Sequence, residues 1–115
     1  MAPDTTVQID RATRVDIRLD LEFFSPLQHS TGYSVNLSES GVLGVFERQL
    51  DIWNSGDLRV SVGEERWTLE ARVARVAADG VALTFRNLHA DQRGKLRALI
   101  IGVLATADAP QFHCA

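Results

Sequence analysis

The stretch 36–41, which reads NLSESG, carries the residue types and spacing best suited to binding chemistry in this chain. On an extended backbone Asn36 and Ser38 point to the same side, where an amide and a hydroxyl can together hydrogen-bond the edge of a nucleobase. Gly41 lets the backbone turn tightly or approach a ligand closely. Because Asn, Ser and Gly form ordinary turns in most proteins, the stretch taken alone is more simply a plain turn before Gly41.

Three arginines precede this stretch, namely Arg11, Arg14 and Arg18. The planar guanidinium fork suits phosphates and guanine rings. Arg14 and Arg18 alternate with Asp16 and Asp20, however, and such residues often form cross-strand ion pairs on a protein surface. For Arg18 the ion-pair interpretation is the simpler one from the residues alone.

The composition is that of one ordinary globular domain. The chain has 115 residues, of which 45% are hydrophobic and 23% are charged. A net charge of −3 argues against binding to nucleic acid polymers or membranes, so a phosphate ligand would need a local arginine cluster. Cys114 is the single cysteine, which excludes an internal disulfide and suits a reducing cytoplasm. No apolar run approaches the ~20 residues of a membrane span, so we expect no membrane insertion.

The sequence gives no support to catalysis or metal binding. The histidines, His29, His89 and His113, are scattered, and only the terminal pair His113-Cys114 places two metal-binding residues together. The motifs of serine hydrolases, P-loop proteins and zinc proteases are missing from the sequence. We therefore expect a protein that is not an enzyme and has no metal or cofactor.

Strict alternation of apolar and polar residues predicts a half-buried strand over 14–24. Its inward residues are Val15, Ile17, Leu19, Leu21 and Phe23. Further strands are predicted around 33–35 and over 41–47, 58–62, 66–76 and 81–86, with tight turns at Gly63-Glu64 and Asp79-Gly80.

The last predicted element is a helix over 90–105. Its single apolar stripe consists of Leu96, Leu99, Ile100, Val103 and Leu104. Six short strands followed by one helix predict a mainly β fold, a six-stranded antiparallel β-barrel with a C-terminal α-helix packed on it. Residues 1–9 are expected to be a flexible segment, 10–107 the folded domain and 108–115 a loose tail. Trp53 falls in a turn, where it either anchors a partner or caps the barrel end.

The whole pattern resembles the PilZ domain, a bacterial receptor module for cyclic di-GMP. The family signature is R-x-x-x-R followed by (D/N)-x-S-x-x-G, and Asn36, Ser38 and Gly41 match its second half. The segments 69–76 and 80–85 and the terminal helix resemble the second half of the domain. The resemblance covers roughly residues 10–104 and implies the PilZ-like split barrel.

The arginine half of the signature is displaced in this chain. Arg14-Val15 fits the position of the second arginine, which places Asp10 where the first arginine is expected and leaves Arg11 one position away. In an alternative register, Arg14 and Arg18 are the two arginines of R-x-x-x-R. The resemblance therefore implies Arg11 and Arg14 as ligand arginines, with Arg18 as the alternative.

The resemblance also implies how the ligand, cyclic di-GMP, would be held. Asn36 and Ser38 would hydrogen-bond a guanine edge, Gly41 would keep the following strand clear, and Arg75 would lie near the same surface. Binding would order the N-terminal segment into a surface read by a protein effector in the bacterial cytoplasm, and a homodimer is left open. The alternative is a degenerate PilZ domain, supported by Asp10, that binds no nucleotide and acts as a protein–protein interaction module in motility or type IV pilus function.

Overall fold

The computed structural model describes residues 13–108, so the predicted N-terminal segment 1–9, Asp10, Arg11 and all of the predicted tail except Asp108 lie outside the described residues. Within 13–108 the chain forms seven strands and one helix. They are β1 (Val15–Asp16), β2 (Asp20–Phe24), β3 (His29–Leu37), β4 (Gly41–Phe46), β5 (Ser55–Val62), β6 (Glu65–Ala77), β7 (Gly80–Arg86) and α1 (Ala90–Asp108).

Six of the described strands close into an antiparallel barrel in the order β3-β2-β5-β6-β7-β4, and pairing of β4 with β3 completes the ring. The additional short strand β1 pairs with the end of β3, beside Asn36 and Leu37. The predicted fold, a mainly β six-stranded barrel followed by one helix, is confirmed.

The predicted strand over 14–24 is interrupted, and the prediction of one continuous strand was wrong. The ladder stops between β1 and β2, and the hydroxyl of Ser34 on β3 bridges the gap. This hydroxyl accepts a hydrogen bond from the Leu19 amide at 2.8 Å and donates one to the Ile17 carbonyl at 2.5 Å. The Ser34 amide also donates to the Leu19 carbonyl at 2.9 Å, so one backbone bond and the buried hydroxyl together hold this part of the chain against β3 and keep the alternation of buried residues.

The core fills the barrel with inward-facing side chains from the strands. Its buried members on the strands and the β4–β5 loop are Val15, Leu21, Phe23, Leu37, Val42, Leu50, Leu58, Val60, Leu69, Ala71, Val73, Val81, Leu83 and Phe85. Burial of this many large apolar side chains supplies the main driving force for folding.

The helix α1 closes the core through Leu96 and Ile100, which are both fully buried. The other members of its predicted apolar stripe are partly buried against the core. At its first turn, the Gln92 side chain accepts a hydrogen bond from the His89 amide and donates one to the Thr68 carbonyl, each at 2.9 Å. Gln92 thus caps the helix and attaches it to β6, and the helix continues to Asp108, beyond the predicted end at Ala105.

The two predicted hairpin turns are present. Gly63-Glu64 connects β5 to β6, and Gly63 has a φ of +61°, which glycine adopts without strain. The β6–β7 connection consists of Ala78 and Asp79, one position earlier than the predicted pair, because Gly80 already pairs with Ala77 as the first residue of β7.

Candidate ligand-binding site

The N-x-S-x-x-G stretch forms the connection between β3 and β4. Asn36 and Leu37 end β3, residues 38–40 turn the chain, and Gly41 begins β4. The Ser38 amide donates to the Gly41 carbonyl at 2.9 Å, which closes the turn. The end of β3 that carries Asn36 pairs with β1, which begins directly after Arg14.

Arg14 and Asn36 are in direct contact although they are 22 positions apart. The Arg14 Nη1 atom donates a hydrogen bond to Asn36 Oδ1 at 3.1 Å, and the pair is exposed on the outer surface. The pairing of Asp16 with Asn36 in the β1–β3 ladder places Arg14 beside the amide. A guanidinium and an amide are therefore presented together, with donors and acceptors left for a ligand.

Ser38 is placed differently from Asn36. Its side chain is only 1% exposed. The hydroxyl accepts hydrogen bonds from the amides of Ser40 and Gly41, both at 3.2 Å, and lies 3.3 Å from the Gly41 carbonyl and 3.1 Å from the Ser40 hydroxyl. These bonds make Ser38 the organiser of the turn in this structure, and a direct bond from Ser38 to guanine stays a prediction.

Gly41 is required by the packing of the barrel. A Cβ atom added at this position would lie 2.3 Å from the carbonyl oxygen of Leu83 on β7, well inside van der Waals contact. Only glycine lets β4 and β7 approach this closely, so Gly41 holds the turn against the neighbouring strand.

Two β-bulges bring Asn36 and Arg75 onto one surface. The register shifts between Ser34 and Asn36 on β3 and between Val73 and Arg75 on β6. Each bulge inserts one extra residue, so both strands change phase and the residue after the bulge faces outward. The alternation of apolar and polar residues in the sequence does not predict where a bulge exchanges the inward and outward faces of a strand.

The ladder pairings join these residues in one row across four strands, hereafter the outer row. Asn36 pairs with Leu43, Leu43 with Ala82, and Ala82 with Arg75. At ~4.8 Å between strands the row is about 14 Å long. It offers polar groups at both ends and apolar side chains between them, which suits a flat ligand with polar edges and hydrophobic faces.

Arg75 and Arg18 have different surroundings. Arg75 Nη1 lies 3.5 Å from Asp79 Oδ1, in an ion pair whose side chains are both more than half exposed. Such a pair is weak and leaves the guanidinium available. Arg18 lies in the gap between β1 and β2, where its guanidinium sits 3.9 Å from the centre of the Tyr33 ring. This cation–π contact directs Arg18 to Tyr33, which is not part of the outer row.

Glu39, which the sequence analysis did not single out, links the turn between β3 and β4 to α1. Its side chain is only 7% exposed, and Oε2 lies 3.0 Å from Arg97 Nε on α1 in an ion pair without hydrogen-bond alignment. Arg97 Nη2 donates to Glu39 Oε1 at 3.4 Å. Glu39 occupies a variable position of the signature, so nothing in its spacing signals a buried carboxylate with a partner 58 positions away.

Other site types find no support in the described part of the chain. Within 13–108, no three His, Cys, Asp or Glu side chains are grouped as metal ligands. No helix described there combines the length and the apolar character needed to cross a membrane.

The barrel, the helix and the surface formed by Asn36 and its neighbours define a small β-barrel binding domain. The model of the PilZ domain family matches residues 8–102, and the chain belongs to this family. PilZ domains are a cyclic di-GMP receptor family of binding and adaptor domains. A comparison with curated proteins finds no match.

Solved structures share the fold, and two of them are PilZ domains. The PilZ domain of CeSA from a cellulose-synthesizing bacterium has a TM-score of 0.65 and 18% identity, over 79% of this chain and 97% of that chain. The PilZ domain of YcgR from Escherichia coli with c-di-GMP has a TM-score of 0.71 and 13% identity, over 87% and 95%. The Bacillus subtilis inhibitor of motility MotI/DgrA has a TM-score of 0.72 and 20% identity, over 96% of this chain and 59% of that one.

Proposed function

We propose that this chain binds cyclic di-GMP on the outer row and passes the signal to a protein effector. The observation that carries the proposal is the hydrogen bond between Arg14 and Asn36, which joins the arginine half of the signature to the N-x-S-x-x-G half. Cyclic di-GMP combines two phosphates with two guanines, and this pair offers a cation for a phosphate beside an amide for a guanine edge. Membership of a receptor family for this nucleotide supports the assignment.

The residues contribute in different ways in this proposal. Arg14 and Asn36 contact the nucleotide, and Arg75 supplies a second cation about 14 Å away along the outer row. Gly41 and Ser38 hold the turn that presents Asn36, and Ser38 reaches guanine itself only by giving up a bond to Gly41. Arg11 lies outside the described residues, and it adds a further phosphate contact when the N-terminal segment closes on the ligand.

Titration calorimetry with cyclic di-GMP tests the proposal. Saturable binding is expected, and Arg14→Ala should weaken it by roughly 10- to 100-fold, the equivalent of a charged hydrogen bond of about 1.5 to 3 kcal/mol. Arg75→Ala should weaken it less, because Arg75 lies at the far end of the row from Asn36 and its charge is partly offset by Asp79. The matched control is Arg66→Ala, at an exposed arginine in the β5–β6 hairpin, which should bind as the unaltered chain does.

The second candidate function is the degenerate PilZ domain that binds no nucleotide, for which the burial of the Ser38 hydroxyl is a specific argument. Asp10→Arg separates the two, because it restores R-x-x-x-R with Arg14. A receptor should bind cyclic di-GMP without this change and more tightly with it. If the unaltered chain gives no binding and Asp10→Arg does, the site is degenerate through Asp10, and the chain acts by constitutive contact with another protein.

A further inference from the structure

The connection between β3 and β4 carries side chains that face two different parts of the molecule. Asn36 lies at one end of the outer row, whereas Glu39 is buried and reaches Arg97 on α1. Three positions separate Asn36 from Glu39, and the bond from the Ser38 amide to the Gly41 carbonyl closes the backbone around Glu39 into one turn. A movement of Glu39 therefore disturbs the end of β3 that presents Asn36.

The burial of Glu39 depends on α1. Its Oε2 atom is inaccessible to water and has no hydrogen-bond partner among the described residues, so the charge of Arg97, whose Nε lies 3.0 Å away, compensates it. The other oxygen, Oε1, accepts its bond from Arg97 Nη2. A carboxylate without a counter-charge is so costly to bury that it returns to water. When α1 leaves the barrel it takes Arg97 with it, and the turn then has to open to expose Glu39.

The helix α1 is attached to the barrel along only part of its length. Leu96 and Ile100 are fully buried, whereas every side chain from 101 to 106 is at least partly exposed. Gly94 and Gly102 both lie in open space, where glycine lowers the intrinsic stability of a helix. An element with few buried contacts opens locally at a lower free energy than the whole domain. Undocking of α1 is therefore an accessible motion of this fold.

We propose that Arg97 is a positioning residue for the ligand-binding turn, and that docking of α1 and the shape of this turn form one two-state equilibrium. In the docked state Arg97 holds Glu39 inside the protein and Asn36 stands beside Arg14. In the undocked state Glu39 turns to water and this arrangement is lost.

This equilibrium couples α1 to the ligand. Given the proposed binding of cyclic di-GMP, on which this consequence rests, the nucleotide binds the docked state, because only that state presents Asn36 beside Arg14. The nucleotide then tightens the docking of α1, and docking of α1 raises the affinity for the nucleotide by the same factor. Occupancy of the outer row is thereby passed through the turn to the helix.

Titration calorimetry with cyclic di-GMP in the absence of urea tests the role of Arg97. Arg97→Gln should weaken binding at least about fivefold, the lower end of the usual coupling between two sites. The double variant with Glu39→Gln should regain most of the lost affinity, because no unpaired carboxylate is left to open the turn. An arginine that contacted the phosphates directly would be missed in the double variant as well. Arg93→Gln, at an exposed position of α1, is the matched control and should bind as the unaltered chain does.

Hydrogen exchange of the α1 amides measures the coupling in the reverse direction. Amides of residues 96–100 that exchange through local undocking should exchange roughly 100-fold more slowly at a nucleotide concentration of about 100 times Kd.

The same measurement without nucleotide reports on the turn itself. Arg97→Gln should speed exchange of the Ser38 and Gly41 amides, which are bonded within the turn, and Arg93→Gln should not. The amides of β5 are the reference, because a general loss of stability would speed their exchange as well, whereas opening of the turn would not.

The outcomes distinguish failure of the coupling from failure of nucleotide binding. If the unaltered chain does not bind cyclic di-GMP, the proposed function is refuted, and exchange without nucleotide decides the coupling: faster exchange at the turn in Arg97→Gln supports it, and unchanged exchange overturns it. If the unaltered chain binds, the coupling is overturned when Arg97→Gln binds as tightly as Arg93→Gln or when nucleotide leaves exchange in α1 unchanged. A double variant as weak as Arg97→Gln overturns the positioning role.

Discussion

Replacing Arg97 by glutamine should destabilise the fold far more than its half-exposed position on α1 suggests. The change leaves the Glu39 carboxylate, which is 7% exposed, without its cation. Breaking a fully buried ion pair by removing one partner costs about 3 to 5 kcal/mol. The Arg97 side chain is 52% exposed, so water can reach one side of the pair, and we expect a loss of about 1 to 3 kcal/mol in the free energy of unfolding.

The reverse change should have a smaller effect. Glu39→Gln keeps the volume of the side chain and removes the buried charge, while the guanidinium left behind is accessible to water. We expect a cost of less than about 1 kcal/mol, because burying an amide is far cheaper than burying an unpaired carboxylate. Arg97→Gln should cost more than Glu39→Gln because the Glu39 side chain is buried, whereas the Arg97 side chain is half exposed.

Urea unfolding of the two single variants and the double variant measures this asymmetry. Arg93→Gln, at an exposed arginine on the same helix, is the matched control and should stay within about 0.5 kcal/mol of the unaltered chain. The double variant should be more stable than Arg97→Gln alone, because the charge has gone with its partner. If Arg97→Gln is as mild as Arg93→Gln, or if Glu39→Gln is the more damaging single change, the turn and the helix are not joined through a buried carboxylate.

The other predictions concern stability and can be measured by the same urea unfolding. Gly41→Ala should lower the free energy of unfolding by about 1 to 3 kcal/mol, because the added Cβ would lie 2.3 Å from the carbonyl oxygen of Leu83. An unchanged stability would refute the close approach of β4 and β7. Gly94→Ala, in open space on α1, should stabilise by about 1 kcal/mol through helix propensity, and a loss would mean that the position is packed. Ser34→Ala should cost about 1 to 3 kcal/mol by leaving the gap between β1 and β2 without its buried hydroxyl, and no cost would show that water replaces it.

Much of the fold follows from local patterns in the sequence. Alternation of apolar residues predicts most strands because successive side chains of a strand face opposite sides, and the stripe through Leu96 and Ile100 predicts the helix. The same alternation predicted one continuous strand over 14–24, which was wrong because the regular ladder is interrupted there and the Ser34 hydroxyl bonds to Ile17 and Leu19 beside one remaining backbone bond. No local signal marks that interruption, since Ser34 and Leu19 meet only through the pairing of strands.

The candidate site likewise combines features that the sequence shows with contacts that only the folded structure reveals. The types and spacing of Asn36, Ser38 and Gly41 are visible in the sequence, and they were enough to suggest the family. The tertiary structure decided that Asn36 contacts Arg14 and shares a row with Arg75, and that Glu39 reaches α1. Residue types and spacing are properties of the chain, whereas the two bulges and the barrel closure that bring distant residues together depend on how all the strands pair at once.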